Sequence, residues 1–168
     1  MKIIVIGSPG AGKSTFARRL RDKINIPLFH LDLIYLKEDK STISKEEFDK
    51  CLQEIFKLDK YIIDGNYPRT LEKRIIESNI IYFLDIDKEE CLKNINNRLN
   101  IKREDMPYVD SEIDNAFFKK VNNFPIEQRP KIYDLLNKYQ NNKRIYIFKT
   151  RNEIDEYIKK EFDKWMFY

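Results

Sequence analysis

The stretch from Gly7 to Ser14 constrains this chain more than any other part of its sequence. It follows a run of Ile and Val over Lys2–Ile6, which predicts a strand buried on both faces, and it opens a predicted helix over Lys13–Lys23. Its spacing fits G-x-x-x-x-G-K-[ST], in which backbone N–H groups of a glycine-rich turn converge on an anion. Three of the four glycines lie in this turn, so a glycine-poor sequence concentrates glycine there.

The turn predicts a site for the triphosphate of ATP together with Mg²⁺. We expect Lys13 to bridge the outer phosphates and to act in catalysis, and Ser14 to offer its hydroxyl to the metal. The residues predicted to bind the nucleotide in this loop are Gly7, Pro9, Gly10, Ala11, Gly12, Lys13, Ser14 and Thr15.

Strand and helix patterns alternate along the rest of the 168 residues. The further strands are predicted at Pro27–Asp32, Tyr61–Asp64, Ile80–Asp85 and Arg144–Phe148. The further helices are predicted at Ser44–Lys57, Thr70–Glu77, Asp87–Arg98 and Asn152–Lys164, with a stretch from Asp110 or Ser111 to Lys138 that Pro125 and Pro130 kink or break. This alternation predicts one α/β domain over residues 1–168, with a parallel sheet whose ligands bind beyond the carboxyl ends of its strands.

The composition fits a cytoplasmic protein. The chain is 42% hydrophobic and 36% charged, and its net charge of +4 is only a weak indication of anionic partners. No apolar run approaches the length that crosses a bilayer. Cys51 and Cys91 lie far apart without metal-type spacing and are expected to be free thiols. The sequence leaves open whether the chain is a monomer or a homodimer.

Two aspartates stand at the predicted carboxyl edge of the sheet. Asp64 precedes Gly65 and could hold Mg²⁺ through water, or could be a turn residue that binds backbone N–H groups. Asp32 could orient or deprotonate an acceptor hydroxyl, help to hold the metal, or cap a strand end. His30, the only histidine, is assigned no role, and Asp85 is expected to be structural.

Arginines can stabilise the charge that spreads over a transferred phosphoryl group. Arg98 and Arg103 flank a short connection at the expected rim, which favours both as candidate site residues, Arg98 for nucleotide binding and Arg103 for catalysis, with roles that rest on the resemblance given below. Arg18, Arg19 and Arg21 are expected to be solvated or paired with acids. The residues predicted to contact the acceptor are Asp32, Gly65, Asn66, Arg69 and Arg74.

With these residues the chain resembles the adenylate-kinase-like branch of P-loop kinases, and more closely the topology-modulation (FlaR-like) family. The resemblance is carried by Gly7–Thr15, His30-Leu31-Asp32, Asp64-Gly65-Asn66-Tyr67, Arg103, Asp105-Met106 and Arg129-Pro130. It implies a three-layer P-loop NTPase fold with a five-stranded parallel sheet of order 2-3-1-4-5. It also implies that adenine lies near Arg98 and the Lys149–Asn152 turn, and that Arg103 faces the phosphates from a short lid at about 98–110.

The chain departs from adenylate kinases on the acceptor side. The short spacing between Arg98 and Arg103 leaves no room for a large lid domain, and no second lid arginine stands near Asp114. Asn66-Tyr67 takes the place of a single Phe. These departures weigh against AMP as the acceptor and leave the nucleoside-triphosphate half intact.

Two function classes remain open from the sequence. The first is a Mg²⁺-dependent kinase that transfers phosphoryl from ATP to a nucleotide or a hydroxylated metabolite. The alternative is an ATP-binding regulator associated with DNA topology, but Lys45, Lys50, Lys57 and Lys60 are interrupted by acids and indicate a solvated helix face. A third hypothesis gives the aromatic segment Phe162–Tyr168 a role in closing the core or in a dimer contact.

Overall fold

The strand that leads into the glycine-rich turn forms the centre of the sheet. In the computed structural model, which describes residues 1–161, the strands are Lys2–Gly7 (β1), Leu28–His30 (β2), Tyr61–Asp64 (β3), Ile80–Leu84 (β4) and Arg144–Phe148 (β5). All neighbouring pairs are parallel, and their order is β2-β3-β1-β4-β5. The predicted α/β fold and strand order are therefore confirmed.

Helices connect the strands and cover both faces of the sheet. Within the described residues they are Lys13–Ile24 (α1), Leu31–Tyr35 (α2), Lys45–Phe56 (α3), Pro68–Glu77 (α4), Lys88–Asn97 (α5), Asn115–Glu127 (α6), Arg129–Tyr139 (α7) and Arg151–Glu161 (α8), with a short 3₁₀ helix at Gln140–Asn142. None of these helices has both the length and the apolar character needed to cross a bilayer.

The core lies in two layers, one on each side of β1. Ile3 and Val5 pack into one apolar cluster, whereas Ile4 and Ile6 pack into the other. All four side chains are fully buried. This alternation follows from the two-residue period of a strand, and it explains why β1 reads as an uninterrupted apolar run.

The predicted end of the second strand is wrong. The second strand ends at His30, and the chain then turns into α2, so that Asp32 lies in the first turn of a short helix and not at a strand end. Leu31 is fully buried under this turn and approaches the backbone so closely that a Cβ on Gly65 would lie 2.8 Å from the Leu31 Cβ. Tight packing of Leu31 against the end of β3 thus accompanies the change from strand to helix.

The predicted stretch from residue 110 or 111 to 138 begins later and divides in two. The side chain of Asp114 accepts a hydrogen bond of 2.7 Å from the backbone N–H of Phe117, which starts α6 at Asn115. Pro125 remains inside α6, while Pro130 lies in the first turn of α7, where its missing N–H leaves no bond unmade. The chain between α5 and α6 is therefore an irregular segment over residues 98–114.

The final predicted helix is observed as Arg151–Glu161 in the described residues. The aromatic segment Phe162–Tyr168, to which the sequence assigned a core or dimer contact, lies outside them.

A capping box starts α3, as its sequence predicts. The Ser44 hydroxyl accepts from the backbone N–H of Glu47 at 3.1 Å, and the Glu47 carboxylate accepts from the backbone N–H of Ser44 at 2.9 Å. These bonds satisfy two backbone donors that the helix start leaves free. They also fix the entry of a helix whose Phe48 and Leu52 are buried in the core.

We expect Ser44→Ala to lower the free energy of unfolding by about 1 kcal/mol, because the cap is lost while the buried face of α3 is unchanged. Urea denaturation monitored by circular dichroism measures the difference. Ser44→Thr is the matched control, since it keeps the capping hydroxyl and should retain most of the stability. An alanine variant as stable as the threonine variant would show that the cap contributes nothing.

Candidate active site

The glycine-rich loop has the backbone shape that its sequence predicts. Gly10 and Gly12 take φ values of +82° and +87°, a region that side chains with a Cβ adopt rarely. A Cβ on Gly10 would also collide with the carbonyl oxygen of Cys91 on α5. The loop is closed by a bond of 3.1 Å from the N–H of Ala11 to the carbonyl of Ser8, and the Asn94 side chain donates to the Gly10 carbonyl at 3.0 Å. Helix α5 therefore supports the loop from behind, a role that the sequence did not reveal.

Lys13 lies over this loop. Its Nζ donates to the carbonyl of Ser8 at 2.9 Å. Burial lowers its pKa, against the opposing negative charges of Asp64 and Asp32. A partly buried ammonium group with one backbone acceptor keeps donors available for an anion that enters the loop.

The loop opens onto a cavity of about 310 Å³ at the carboxyl edge of the sheet. Its walls come from the loop, from α2, from the residues after β3 and from the segment 98–114. The predicted site residues that line it are Pro9, Gly10, Lys13, Ser14, Asp32, Asp64, Gly65, Asn66, Arg98 and Arg103. The structure thus brings most of the predicted nucleotide, metal and acceptor residues around one space.

Asp64 and His30 form a buried pair at the floor of this cavity. Asp64 is 3% exposed and His30 is 8% exposed. His30 Nδ1 lies 2.8 Å from Oδ2 of Asp64. The other carboxylate oxygen, Oδ1, is buried and has no hydrogen-bond partner among residues 1–161. Since buried polar atoms are normally satisfied, this oxygen marks a place for a ligand.

His30, to which the sequence assigned no role, contacts the predicted metal residue Asp64. Strand register pairs His30 with Asp64 across β2 and β3, so the two side chains point to the same face of the sheet. The signal was available only after β2 had been placed beside β3 in the correct register. When Asp64 is ionised it can only accept, so Nδ1 of His30 then donates to it and orients the carboxylate.

Asp32 faces the cavity from the first turn of α2. The Tyr67 hydroxyl donates to its Oδ1 at 2.7 Å. Burial raises the pKa of Asp32, while the Tyr67 hydrogen bond and the charge of Lys13 oppose the shift. A carboxylate with a raised pKa and one oxygen held by a tyrosine suits proton acceptance from a bound hydroxyl.

The segment 98–114 brings two guanidinium groups to the rim. Burial lowers the pKa of Arg98, and the nearby charge of Arg103 lowers it further. Arg103 Nη2 donates to Asp105 at 3.2 Å, whereas its Nη1 is buried with no partner among the described residues. Arg18 on α1 lies 3.6 Å from the same aspartate and connects the segment to the helix that follows the loop.

Asp105 is a second residue that the sequence left without a role. Burial raises its pKa, but Arg103 and a hydrogen bond with the Ser14 hydroxyl outweigh this effect, so that its pKa lies below the usual range. The Ser14 hydroxyl, which the sequence predicts as a metal ligand, thus contacts the Asp105 carboxylate in this structure.

Two predicted acceptor contacts do not reach the cavity. Arg69 points outward and forms a bidentate pair with Asp49 on α3, at 2.7 and 2.9 Å. Arg74 is fully buried and donates to the carbonyls of Gly65 and Tyr67, both at 2.9 Å. Arg74 therefore supports the turn after β3, and neither arginine lines the site as predicted.

The remaining predicted loop residues lie behind or beside the cavity. Gly7 and Ala11 are buried in the loop, and Thr15 is exposed on α1. Arg151, at the start of α8, comes so close to Gly12 that a Cβ there would collide with its guanidinium, and it donates to Glu90 at 2.9 Å. The predicted adenine-side turn at Lys149–Asn152 is thus adjacent to the loop.

Comparison with known proteins shows which proteins this chain is similar to. No family model matches the chain. It is 29% identical over 62% of its length to the adenylate kinase of Encephalitozoon cuniculi, with 69% of that protein covered. It is 27% identical over 95% of its length to the adenylate kinase of Rickettsia africae, with 98% covered. The match to the adenylate kinase of Thermosipho africanus is 31% identical but spans only 59% of that protein.

Solved structures share the fold at low sequence identity. A deoxyadenosine kinase from M. mycoides superposes with a TM-score of 0.56 and 16% identity, with both chains covered completely. Shikimate kinase from Bacteroides thetaiotaomicron superposes with a TM-score of 0.56 and 17% identity, over 98% of this chain and 97% of that one.

These similarities support a kinase of the adenylate-kinase-like P-loop class, in agreement with the sequence. The narrower resemblance to the topology-modulation family gains no support from them, and neither does the DNA-associated alternative.

We expect Asp32→Asn to raise the thermal unfolding midpoint at pH 7. A carboxyl group whose pKa is raised by folding holds its proton more tightly in the folded state, so its ionisation lowers stability as the pH rises above the unfolded value of about 4. The variant should therefore lose part of the decline in stability between acidic and neutral pH.

Thermal denaturation at several pH values above 4 measures this effect. Asp39→Asn is the control, because the Ser41 hydrogen bonds lower the pKa of that exposed carboxyl and removing it should not stabilise the fold. An Asp32→Asn variant with a lower midpoint and an unchanged pH profile would contradict the prediction.

Proposed function

We propose that this chain is a Mg²⁺-dependent phosphotransferase that moves the γ-phosphoryl group of ATP to a hydroxyl of a small acceptor. The observation that carries the proposal is one cavity onto which both the Lys13 loop and the Asp32 carboxylate open. The first group suits a triphosphate, and the second suits the hydroxyl that attacks it.

The loop accounts for the donor. N–H groups of the turn and the start of α1 bind phosphate oxygens, and Lys13 exchanges the Ser8 carbonyl for the outer phosphates. Adenine lies toward Arg98 and the Lys149–Asn152 turn, where Arg151 flanks the loop. Glycines at positions 10 and 12 permit the close approach of backbone and phosphate.

Ser14 and Asp64 fit the metal. The Asp64 Oδ1 atom is buried without a partner, which suits an oxygen ligand for Mg²⁺, directly or through water. Among residues 1–161, no group of three or more His, Cys, Asp or Glu side chains could hold a metal ion, so phosphates and water would have to supply most of the ligands. Bound Mg²⁺ would neutralise charge on the β- and γ-phosphates.

Asp32 and the rim arginines account for the transfer. Asp32 accepts the proton of the acceptor hydroxyl as its oxygen bonds to the γ-phosphorus and the bond to the β–γ bridging oxygen breaks, which releases ADP. Arg103 and Arg98 stabilise the charge on the moving group. The segment 98–110 acts as a short lid of the single domain and excludes water from the cavity.

We expect Lys13→Ala to weaken ATP binding by roughly 100-fold, because charge-assisted bonds to two phosphates are lost. Isothermal titration with ATP and Mg²⁺ measures the affinity, and circular dichroism checks that the fold is intact. Lys45→Ala, which removes an exposed lysine from α3, is the control and should bind as the unchanged chain does. Unchanged affinity in Lys13→Ala would sink the proposal.

We expect Asp32→Asn to lower turnover by about 100-fold or more while ATP affinity changes little, because general base catalysis is removed and the Tyr67 contact is kept. ADP release, screened with nucleoside monophosphates, nucleosides, sugars and DNA, identifies the acceptor and then compares the variants. Equal turnover by both proteins would remove Asp32 from the mechanism. Stimulation by DNA alone would favour a regulator over a kinase.

A further inference from the structure

Within residues 1–161, the two arginines that follow the turn after β3 are not free to bind a phosphorylated acceptor. Arg69 is held outside by the two oxygens of Asp49, and Arg74 is saturated by the carbonyls of Gly65 and Tyr67 and by the hydroxyl of Thr70. Recognition of a second phosphate group in a protein cavity normally relies on Arg or Lys side chains that are free to donate. Arg69 and Arg74, which follow the turn after β3 in the sequence, are therefore bound to other partners.

The charges that line the cavity are negative in excess. Six carboxylates and four cationic side chains line it, and three of the cations are Lys13, Arg98 and Arg103, which face the triphosphate loop and its rim. The fourth, Lys120, is exposed on α6. After a triphosphate has engaged the first three, the remaining wall repels a second anion.

Aromatic rings form the wall next to Asp32. Tyr35 and Tyr67 meet edge to face with ring centroids 5.2 Å apart, and Tyr67 also packs on Phe48 at 5.1 Å. Tyr108 lines the same cavity from the segment 98–114. Fixed rings of this kind suit a flat, ring-bearing ligand.

Asn66 adds an amide group to this wall. The Oδ1 atom of Asn66 is buried with no hydrogen-bond partner among residues 1–161. Asn66 lines the cavity beside Tyr67, whose hydroxyl orients Asp32. An unpaired amide oxygen here can accept a bond from an N–H or O–H group of the acceptor.

From these features we infer that the acceptor is a ring-bearing alcohol without a phosphate group, with the chemistry of a nucleoside. Its ring packs against Tyr35, Tyr67 and Tyr108, and a donor group of the ring binds Asn66. One sugar hydroxyl reaches Asp32, loses its proton there and forms the new bond to phosphorus, while ADP leaves. The products are a nucleoside monophosphate, ADP and a proton that Asp32 passes to water. This inference rests on the proposed phosphotransferase function.

The test compares matched pairs of acceptors that differ by one phosphate. The chain, with Mg²⁺ and ATP, is assayed for ADP release with each common nucleoside and its 5′-monophosphate, and with ring-free polyols. We expect kcat/KM for at least one nucleoside to exceed that for its monophosphate by about 100-fold, because nothing on this wall pairs the extra charge. A preference for a monophosphate or for a ring-free polyol would overturn the inference.

Measurement of ATP binding distinguishes a failure of the nucleoside inference from a failure of the proposed function. If ATP binds in a Lys13-dependent manner and a monophosphate is phosphorylated, the proposed function stands and the nucleoside inference fails. If ADP release depends on Lys13 but no compound in the panel serves as an acceptor, both the nucleoside inference and the proposed phosphoryl transfer fail.

A variant in the segment 98–114 tests the aromatic contact directly. Tyr108→Ala should raise the KM for the nucleoside by about 10- to 100-fold, since a stacked ring is lost, with little change in the KM for ATP. Tyr108→Phe keeps the ring and should restore most of the affinity for the nucleoside. Equal KM values for the nucleoside in Tyr108→Ala and the unchanged chain would remove this ring from the site.

Discussion

The Lys13 ammonium group, which binds the Ser8 carbonyl and is attracted by the charges of Asp64 and Asp32, is the interaction on which the rest of the site depends. Burial lowers the pKa of this group, and the charges of Asp64 and Asp32 partly restore it. Each of these ions is costly to desolvate alone, so the arrangement is stable only because the charges offset each other. A bound cation would pair with the Oδ1 atom of Asp64, and a bound polyanion would pair with the Nη1 atom of Arg103, both of which lack a partner among the described residues.

The sequence predicted those parts of the fold that depend on local patterns. The apolar run of β1, the spacing of Gly10, Gly12 and Lys13, and the Ser44–Glu47 capping box each combine residues that are neighbours along the chain. The strand order came from the family resemblance and is confirmed. The positions of the glycine-rich loop, Asp64 and the rim arginines around one cavity could also be predicted, because short motifs and strand ends determine them, whereas their roles stay predictions.

The errors concern contacts between distant segments. Whether Arg69 faces the cavity depends on Asp49, a residue from another helix, and the role of His30 depends on its register with Asp64. The helix at Leu31–Tyr35 is too short for periodicity to reveal, and it follows a three-residue strand. Such features are set by tertiary packing, which a single sequence does not display.

The two arginines excluded from the cavity differ in how easily evolution could recruit them. The Arg69–Asp49 pair is exposed to solvent, so one surface substitution at position 49 would release a guanidinium near the turn after β3 at little cost in stability. A conformation of Arg74 that faced the cavity would leave the carbonyls of Gly65 and Tyr67 without donors and would destabilise the turn after β3. Acceptor preference in this fold could therefore change through a substitution on α3 that frees Arg69. It could not change through Arg74 without loss of the turn after β3.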